Sequence, residues 1–286
     1  MAPSPVVNAL TIDVEDYFHA SALAQVAPRG TWDALPSRVA QNTRLLLDTL
    51  DRAGVRGTCF VLGWVARRDP DLVKDIAARG HEVASHGFWH QLIYDQSREE
   101  FRADVRDARA LLQDLTGQPV LGYRAPSFSI VERSLWALDV LVEEGYRYDA
   151  SIFPIHHDRY GIPDAPRMIH LRKTTAGPIV EVPSSTVRLG KNLPTAGGGY
   201  FRLLPYAWTR WGIRRVNAEG MPAIFYLHPW EVDPGQPVMR VPALTRIRHY
   251  RNLGKCAARL DRMLRDFRFG PLGSIVTPHL ATVSSH

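Results

Sequence analysis

The chain has 286 residues, 45% of them hydrophobic and 22% charged, enough apolar content for one large α/β domain or two small ones. No run approaches eighteen apolar residues, which argues against a membrane-spanning helix, and two cysteines, Cys59 and Cys256, are too few for a disulfide framework. The formal charge of +6 comes largely from the C-terminal third, where nine Lys or Arg residues between Arg240 and Arg268 stand against Asp261 and Asp266.

That basic stretch reads first as the solvated face of a long helix and second as a peripheral contact with membrane headgroups. No recognised nucleic-acid module accompanies the charge, so a nucleic-acid partner is not expected. The opening residues lack the basic and apolar regions of a secretory signal, which points to the cytoplasm, or to the inner face of the membrane if the basic helix reaches it.

In chain order, residues 9–13 read as a short apolar strand ending in acid. Ser37 is placed to cap a helix whose apolar positions, among them Val39, Leu46, Leu47 and Leu50, keep helical spacing up to Gly54. Residues 57–62 form a buried strand, and Asp69 with Pro70 opens the next helix, closed by Gly80. A strand over 81–85 then delivers His86 at its C-terminal end. Ser97 and Glu100 make a capping box for a helix carrying Phe101, Val105, Ala108 and Leu112, which Gly117 stops. A strand over 120–123 ends at Arg124, a helix covers 134–144, and another strand covers 179–183. Residues 205–219 are helical, 223–227 form a strand ending at His228, a last helix lies within 244–267, and a strand follows at 274–277. The Pro- and Gly-rich stretches 153–178 and 191–199 are expected to be long functional loops.

Strand and helix alternate without internal repeats, the pattern of a parallel sheet, doubly wound or rolled into a barrel. Asp13, His86, Arg124 and His228 all fall just after apolar strands, at the rim where α/β barrels keep their chemistry. His86 and His90 stand four residues apart, a good partial site for a zinc-type ion, and Asp13, Glu15 and Asp16 offer acids far upstream. Each residue also has a plainer use. Asp13 and Asp16 could cap a turn, Arg124 could be a structural ion-pair partner, and His228 could be a satisfied loop histidine. Trp89, Trp230, Tyr200 and Phe201 could be core.

Four stretches in order carry a resemblance: Thr11-Ile12-Asp13-Val14-Glu15-Asp16, Ser85-His86-Gly87-Phe88-Trp89-His90, Arg124-Ala125-Pro126 and Leu227-His228-Pro229-Trp230. They resemble motifs of the polysaccharide deacetylases of the NodB-homology type, carbohydrate esterase family four, over residues 9–230. Asp-Val-Glu-Asp-Tyr-Phe at 13–18, Tyr-Asp-Ala-Ser-Ile-Phe-Pro at 148–154, Gly-Gly-Gly-Tyr-Phe-Arg at 197–202 and His-Pro-Trp-Glu at 228–231 are similar to the branch found with exosortase and PEP-CTERM exopolysaccharide clusters.

The resemblance implies a distorted (β/α) barrel of parallel strands with its active site at the C-terminal rim. It implies one domain over 1–286, with a core at 9–231 and a helical extension at 232–286. A divalent metal, zinc before cobalt or another first-row ion, would be held by His86, His90 and an acid. Val14 stands where the family usually has its metal-binding Asp, so that acid is Glu15 or Asp16. Asp13 would be the general base, fixed by Arg124, and His228 the general acid. A backbone N–H near Tyr148 would stabilise the oxyanion, and Tyr148, Trp89, Trp230 and Tyr200 would contact substrate. Asp149 and Glu181 are both candidates for a supporting acid. The implied activity is removal of N-acetyl groups from N-acetylhexosamines of an exopolysaccharide or its lipid-linked precursor, the glycan being the expected partner. A C–N hydrolase on small cyclic amides and a non-catalytic glycan-binding protein are the alternatives.

Overall fold

The computed structural model describes residues 6–157, 159–195 and 197–283. Its strands are β1 (Val7–Val14), β2 (Thr58–Val61), β3 (Glu82–Ser85), β4 (Gly122–Tyr123), β5 (Tyr148–Asp149), β6 (His170–Thr174), β7 (Gly177–Glu181), β8 (Thr186–Leu189), β9 (Lys191–Pro194), β10 (Ile224–Leu227) and β11 (Arg268–Gly270). The helices are α1 (Val39–Arg52), α2 (Gly63–Arg68), α3 (Pro70–Ala78), α4 (Arg98–Thr116), α5 (Ala137–Glu143), α6 (Gly198–Leu203), α7 (Tyr206–Ala218), α8 (Ala243–Tyr250), α9 (Leu253–Asp266) and α10 (Leu272–Val283).

The main sheet runs β10-β1-β2-β3-β4-β5-β7-β6, parallel throughout except that β6 returns antiparallel along β7. β11 pairs with the first residues of β1, at Val7–Ala9, and β2 with the later ones, at Thr11–Val14. No ladder joins β10 to β6 among the described residues, yet the sheet curls back on itself. Ala9, Phe60, Ala84, Tyr148, Val180 and Ile224, from strands spread across the sheet, meet in one buried cluster.

Alternation along each strand decides which side chains enter that interior. Ala9 and Phe60 point in, whereas Leu10, Ile12, Cys59 and Val61 point out and pack with helix residues such as Leu46, Leu72 and Phe101. Both cysteines are buried and free. No helix among the described residues is long and apolar enough to cross a membrane.

Several local expectations hold for the reasons given. Asp69 accepts from the Leu72 amide with Pro70 at the first helical position, and Ser97 and Glu100 cap α4 reciprocally. Others are corrected. Ser37 does not cap α1: its hydroxyl donates to Asp16, whose carboxylate caps the helix. The 153–178 stretch contains β6, and residues 191–194 form β9 of a hairpin with β8. Residues 274–277 are helical, part of α10, and the strand of this region is β11. Leu272 and Val276, one turn apart, fill the floor of the barrel interior, and the first amides of α10 donate to Thr58 Oγ1 and Glu82 Oε2. Tertiary burial and capping thus override the local preference of Ile275, Val276 and Thr277 for strand.

Candidate active site

The first acids emerge where β1 leaves the sheet. Asp13 and Glu15 lie on one side of the chain and Val14 on the other, in the outer core. The Glu15 amide donates to the Asp13 carbonyl (2.9 Å), which turns both carboxylates over the rim. Asp16 goes the other way. It accepts from Tyr17 N, Ser37 Oγ, Arg38 N and Val39 N at 2.7–3.1 Å, an anion seated on the N-terminus of α1. Burial raises its pKa, against the pull of those donors. Asp16 as a metal ligand is therefore corrected: its oxygens are committed to the helix.

His86 follows β3 directly, and its Nδ1 lies 2.8 Å from the Arg124 carbonyl. With Nδ1 as the donor, Nε2 turns its lone pair toward Glu15. The four-residue step to His90 is a loop, not a helical turn. Gly87 (φ +73°) and His90 (φ 51°) both take left-handed backbone, and a Cβ at residue 87 would sit 2.6 Å from Asp104 Oδ2. Asp104 fixes the loop by accepting from the Phe88 and Trp89 amides at 2.7 and 3.0 Å.

Donor atoms of Glu15, His86 and His90 lie within 4.8 Å of one another. Glu15 Oε2 is buried, 2.5 Å from His90 Nε2 and 3.8 Å from His86 Nε2, with no other polar contact. Burial acts to raise the Glu15 pKa, but the charges of His90 and His228 outweigh it and hold it well below the usual range. Two imidazole nitrogens and a carboxylate oxygen whose polar neighbours are those same imidazoles fit a zinc-type ion with an open position.

Asp13 Oδ1 receives Arg124 Nη1 at 2.7 Å. That guanidinium is buried, also donates to Thr11 Oγ1 and the Ala150 carbonyl, and lies 4.2 Å from the Phe60 ring centre. Asp13 Oδ2 is 3.8 Å from His228 Nε2. On its other side His228 Nδ1 lies 2.7 Å from Glu231 Oε1, and Glu231 Oε2 is 2.5 Å from Arg202 Nε. Burial disfavours charge on His228, but Glu15, Glu231 and Asp13 outweigh it and push its pKa up to about 9. Burial likewise opposes ionisation of Glu231, yet Arg202 and His228 bring it down to about 2. The indole Nε1 of Trp230 donates to Glu15 Oε1 (3.1 Å) while its ring stacks between His228 and His249.

Asp13, Glu15, His86, His90, His228 and Trp230 line one cleft, with Arg124 behind Asp13. Three expected substrate contacts do not reach it. Tyr148 points to the barrel floor, where its hydroxyl donates to Glu82 Oε1, and its amide donates to the Leu121 carbonyl. Trp89 faces away from the cleft, between Arg29 and Arg67. Tyr200, half-buried on α6, does not line the cleft, and Phe201 beside it is core. Tyr226 does line it, pressed by Gly197 and Gly198, where a Cβ would come within 2.8 Å of the ring.

The supporting acid is also corrected. Asp149 and Glu181 engage each other and lie away from His228, whose carboxylate partner is Glu231. Glu231 and Arg202 were legible only as members of the His-Pro-Trp-Glu and Gly-Gly-Gly-Tyr-Phe-Arg stretches. The three-residue step from His228 to Glu231, a capping-box spacing, was the available signal.

Residues 30–148 match the polysaccharide deacetylase family, and residues 150–277 match a domain of unknown function, DUF3473. A peptidoglycan-N-acetylglucosamine deacetylase of Bacillus cereus is 32% identical over 98 residues, 34% of this chain and 36% of that protein. A chitooligosaccharide deacetylase of Sinorhizobium fredii is 33% identical over 112 residues, 39% and 48% of the two chains. The aligned part thus spans less than half of each of these relatives. A candidate polysaccharide deacetylase from Mycobacterium smegmatis shares the fold, with a TM-score of 0.62 at 19% identity over 99% of this chain and 95% of that one. The Bc1960 peptidoglycan N-acetylglucosamine deacetylase does so at a TM-score of 0.51 and 17% identity, over 95% and 88%. The polysaccharide deacetylase family is thus matched over residues 30–148, and the fold of the Mycobacterium smegmatis protein is shared along almost the whole length of this chain.

Proposed function

We propose that the protein is a metal-dependent N-deacetylase acting on N-acetylhexosamine residues of an exopolysaccharide or of its lipid-linked precursor. The observation that carries the reading is the meeting of Asp13, Glu15, His86, His90 and His228 in one cleft. The names of two relatives, a peptidoglycan-N-acetylglucosamine deacetylase and a chitooligosaccharide deacetylase, support the substrate class. In this reading the whole chain acts as one domain, since β11 ladders onto β1 and α10 fills the barrel floor.

Glu15, His86 and His90 would hold the divalent ion, zinc before cobalt or another first-row metal. When bound, such an ion supplies Lewis acidity, polarising an amide carbonyl and lowering the pKa of water. Asp13, held in place by Arg124, takes the proton of the attacking water as the water oxygen bonds to the acetyl carbon. His228 enters the reaction protonated, held so by Glu231, and gives its proton to the amine as the C–N bond breaks. Acetate and a free amino sugar leave. Trp230 holds Glu15 in place through its indole N–H and so works as a positioning residue.

The test is acetate release from N-acetylated oligosaccharides by purified protein, with and without chelator, and with allantoin as a cyclic-amide control. Release that stops with chelator and returns with zinc is the expected result. Turnover of allantoin alone would move the protein to the cyclic-amide hydrolases, and no turnover of either by metal-loaded protein would sink the catalytic reading.

A further inference from the structure

Helix α8 is unlike the other outer elements. Leu244 and Ile247, one turn apart on it, are 59% and 49% exposed, and Val238 in the preceding turn is 60% exposed. Tyr250 at the end of the helix ties that turn down, its hydroxyl accepting from the Met239 amide (2.9 Å). The remaining large exposed apolar residues are scattered singly along the chain, which is ordinary. Around this patch Arg240, Arg246, Arg248 and Arg251 are all exposed, and no Asp or Glu occurs from 234 to 260. Apolar side chains projecting among unopposed arginines are the composition of a surface that lies on anionic headgroups.

The same helix forms part of the cleft. Arg248 and His249 line it, and buried Arg202, the partner of Glu231, donates to the carbonyls of Arg248, His249 and Arg251. We infer that α8 and the 237–242 turn dock on an anionic lipid bilayer and present the cleft to glycans carried on lipid at that surface. The lipid-carried substrate rests on the deacetylase reading, whereas the docking itself does not.

The experiment is co-sedimentation of the full chain with vesicles of phosphatidylcholine alone or mixed equally with phosphatidylglycerol, at low and high salt. Binding to the mixed vesicles only, weakened by salt, is expected. Leu244→Asp/Ile247→Asp and, separately, Arg240→Glu/Arg246→Glu should each reduce it about tenfold, with unchanged melting temperature and unchanged acetate release from soluble oligosaccharides. Equal binding by wild type and both variants, or no binding to mixed vesicles at low salt, would overturn the proposal. So would a vesicle-free dimer that Leu244→Asp/Ile247→Asp splits, since the patch would then belong to a second copy. Vesicle binding without acetate release from any glycan would leave docking intact and remove the deacetylase.

Discussion

The two sides of the cleft are built differently. On the side of β1 and β3, Asp13, Glu15, His86 and His90 stand within two or five residues of a strand end, aimed by backbone alternation and one tight loop. On the side of β10, His228 also follows its strand, but what aims it comes from afar. Glu231 is held by Arg202, 29 residues away, and Arg202 in turn grips carbonyls up to 49 residues on. The first side lies in or beside the segment matching the deacetylase family, and the second lies in the segment of unknown function. A metal-type centre can be set by short motifs on a sheet, whereas a buried imidazolium needs a tertiary network to compensate its charge.

Substitutions on the first side should have the largest and most separable effects. His86→Ala or Glu15→Ala should empty the centre, read as loss of bound zinc by elemental analysis together with loss of activity. Asp13→Asn should keep the metal and lower kcat by about 10²–10⁴-fold, the usual range for a general base. Full activity in Asp13→Asn would remove it from the reaction, and metal retained in Glu15→Ala would send the search for the third ligand elsewhere.

On the second side, Glu231→Gln should leave metal content unchanged and cut kcat by about 10- to 100-fold with little change in KM. The amide cannot balance an imidazolium, and it turns a donor toward Arg202. A change in KM alone would mean that Glu231 shapes substrate binding and does not position His228.

Asp16→Ala sharpens the contrast within a single motif. It should keep zinc and activity but cost ~1–2 kcal/mol of stability, because three donors at the head of α1 and the Tyr17 amide lose their acceptor. Chemical denaturation with metal analysis on the same sample separates the two roles. Loss of metal without loss of stability would reverse the assignment of Glu15 and Asp16.

What could be read in the sequence follows the same divide. Asp13, His86, Arg124 and His228 were legible because strand ends and short motifs are local. The choice between Glu15 and Asp16 was not, since it depends on how far strand alternation persists past Val14 and on where α1 docks. Tyr148 and Trp89 sat in the right motifs but on the wrong faces, and facing is set by sheet curl and by the Asp104 clamp. Arg202 and Glu231 needed a contact that no local pattern encodes. Residues 274–277 read as strand from their β-branched run, whereas the spacing of Leu272 and Val276 matters only once a barrel floor exists to receive them.

The smallest predicted effect concerns a pair that belongs to neither side. Asp149 and Glu181 are buried together behind Arg124. Burial pushes Asp149 up to about 6, and burial with the neighbouring Asp149 charge pushes Glu181 well above its ordinary value, Arg124 and Arg172 pulling weakly the other way. The folded protein therefore keeps a proton that the unfolded chain releases near pH 4. The stability tied to that proton is full below pH 4 and is lost as pH rises through 6 and beyond. Glu181→Gln supplies the donor permanently and still offers an oxygen to the Ile152 amide (3.2 Å from Glu181 Oε1). Its melting temperature should thus fall less than wild type between pH 5 and pH 8, by a few degrees, as ~1–2 kcal/mol implies for a chain of this size. Melting curves of the two metal-loaded proteins across that range decide the point: parallel profiles would mean that the two carboxyls share no proton in the fold.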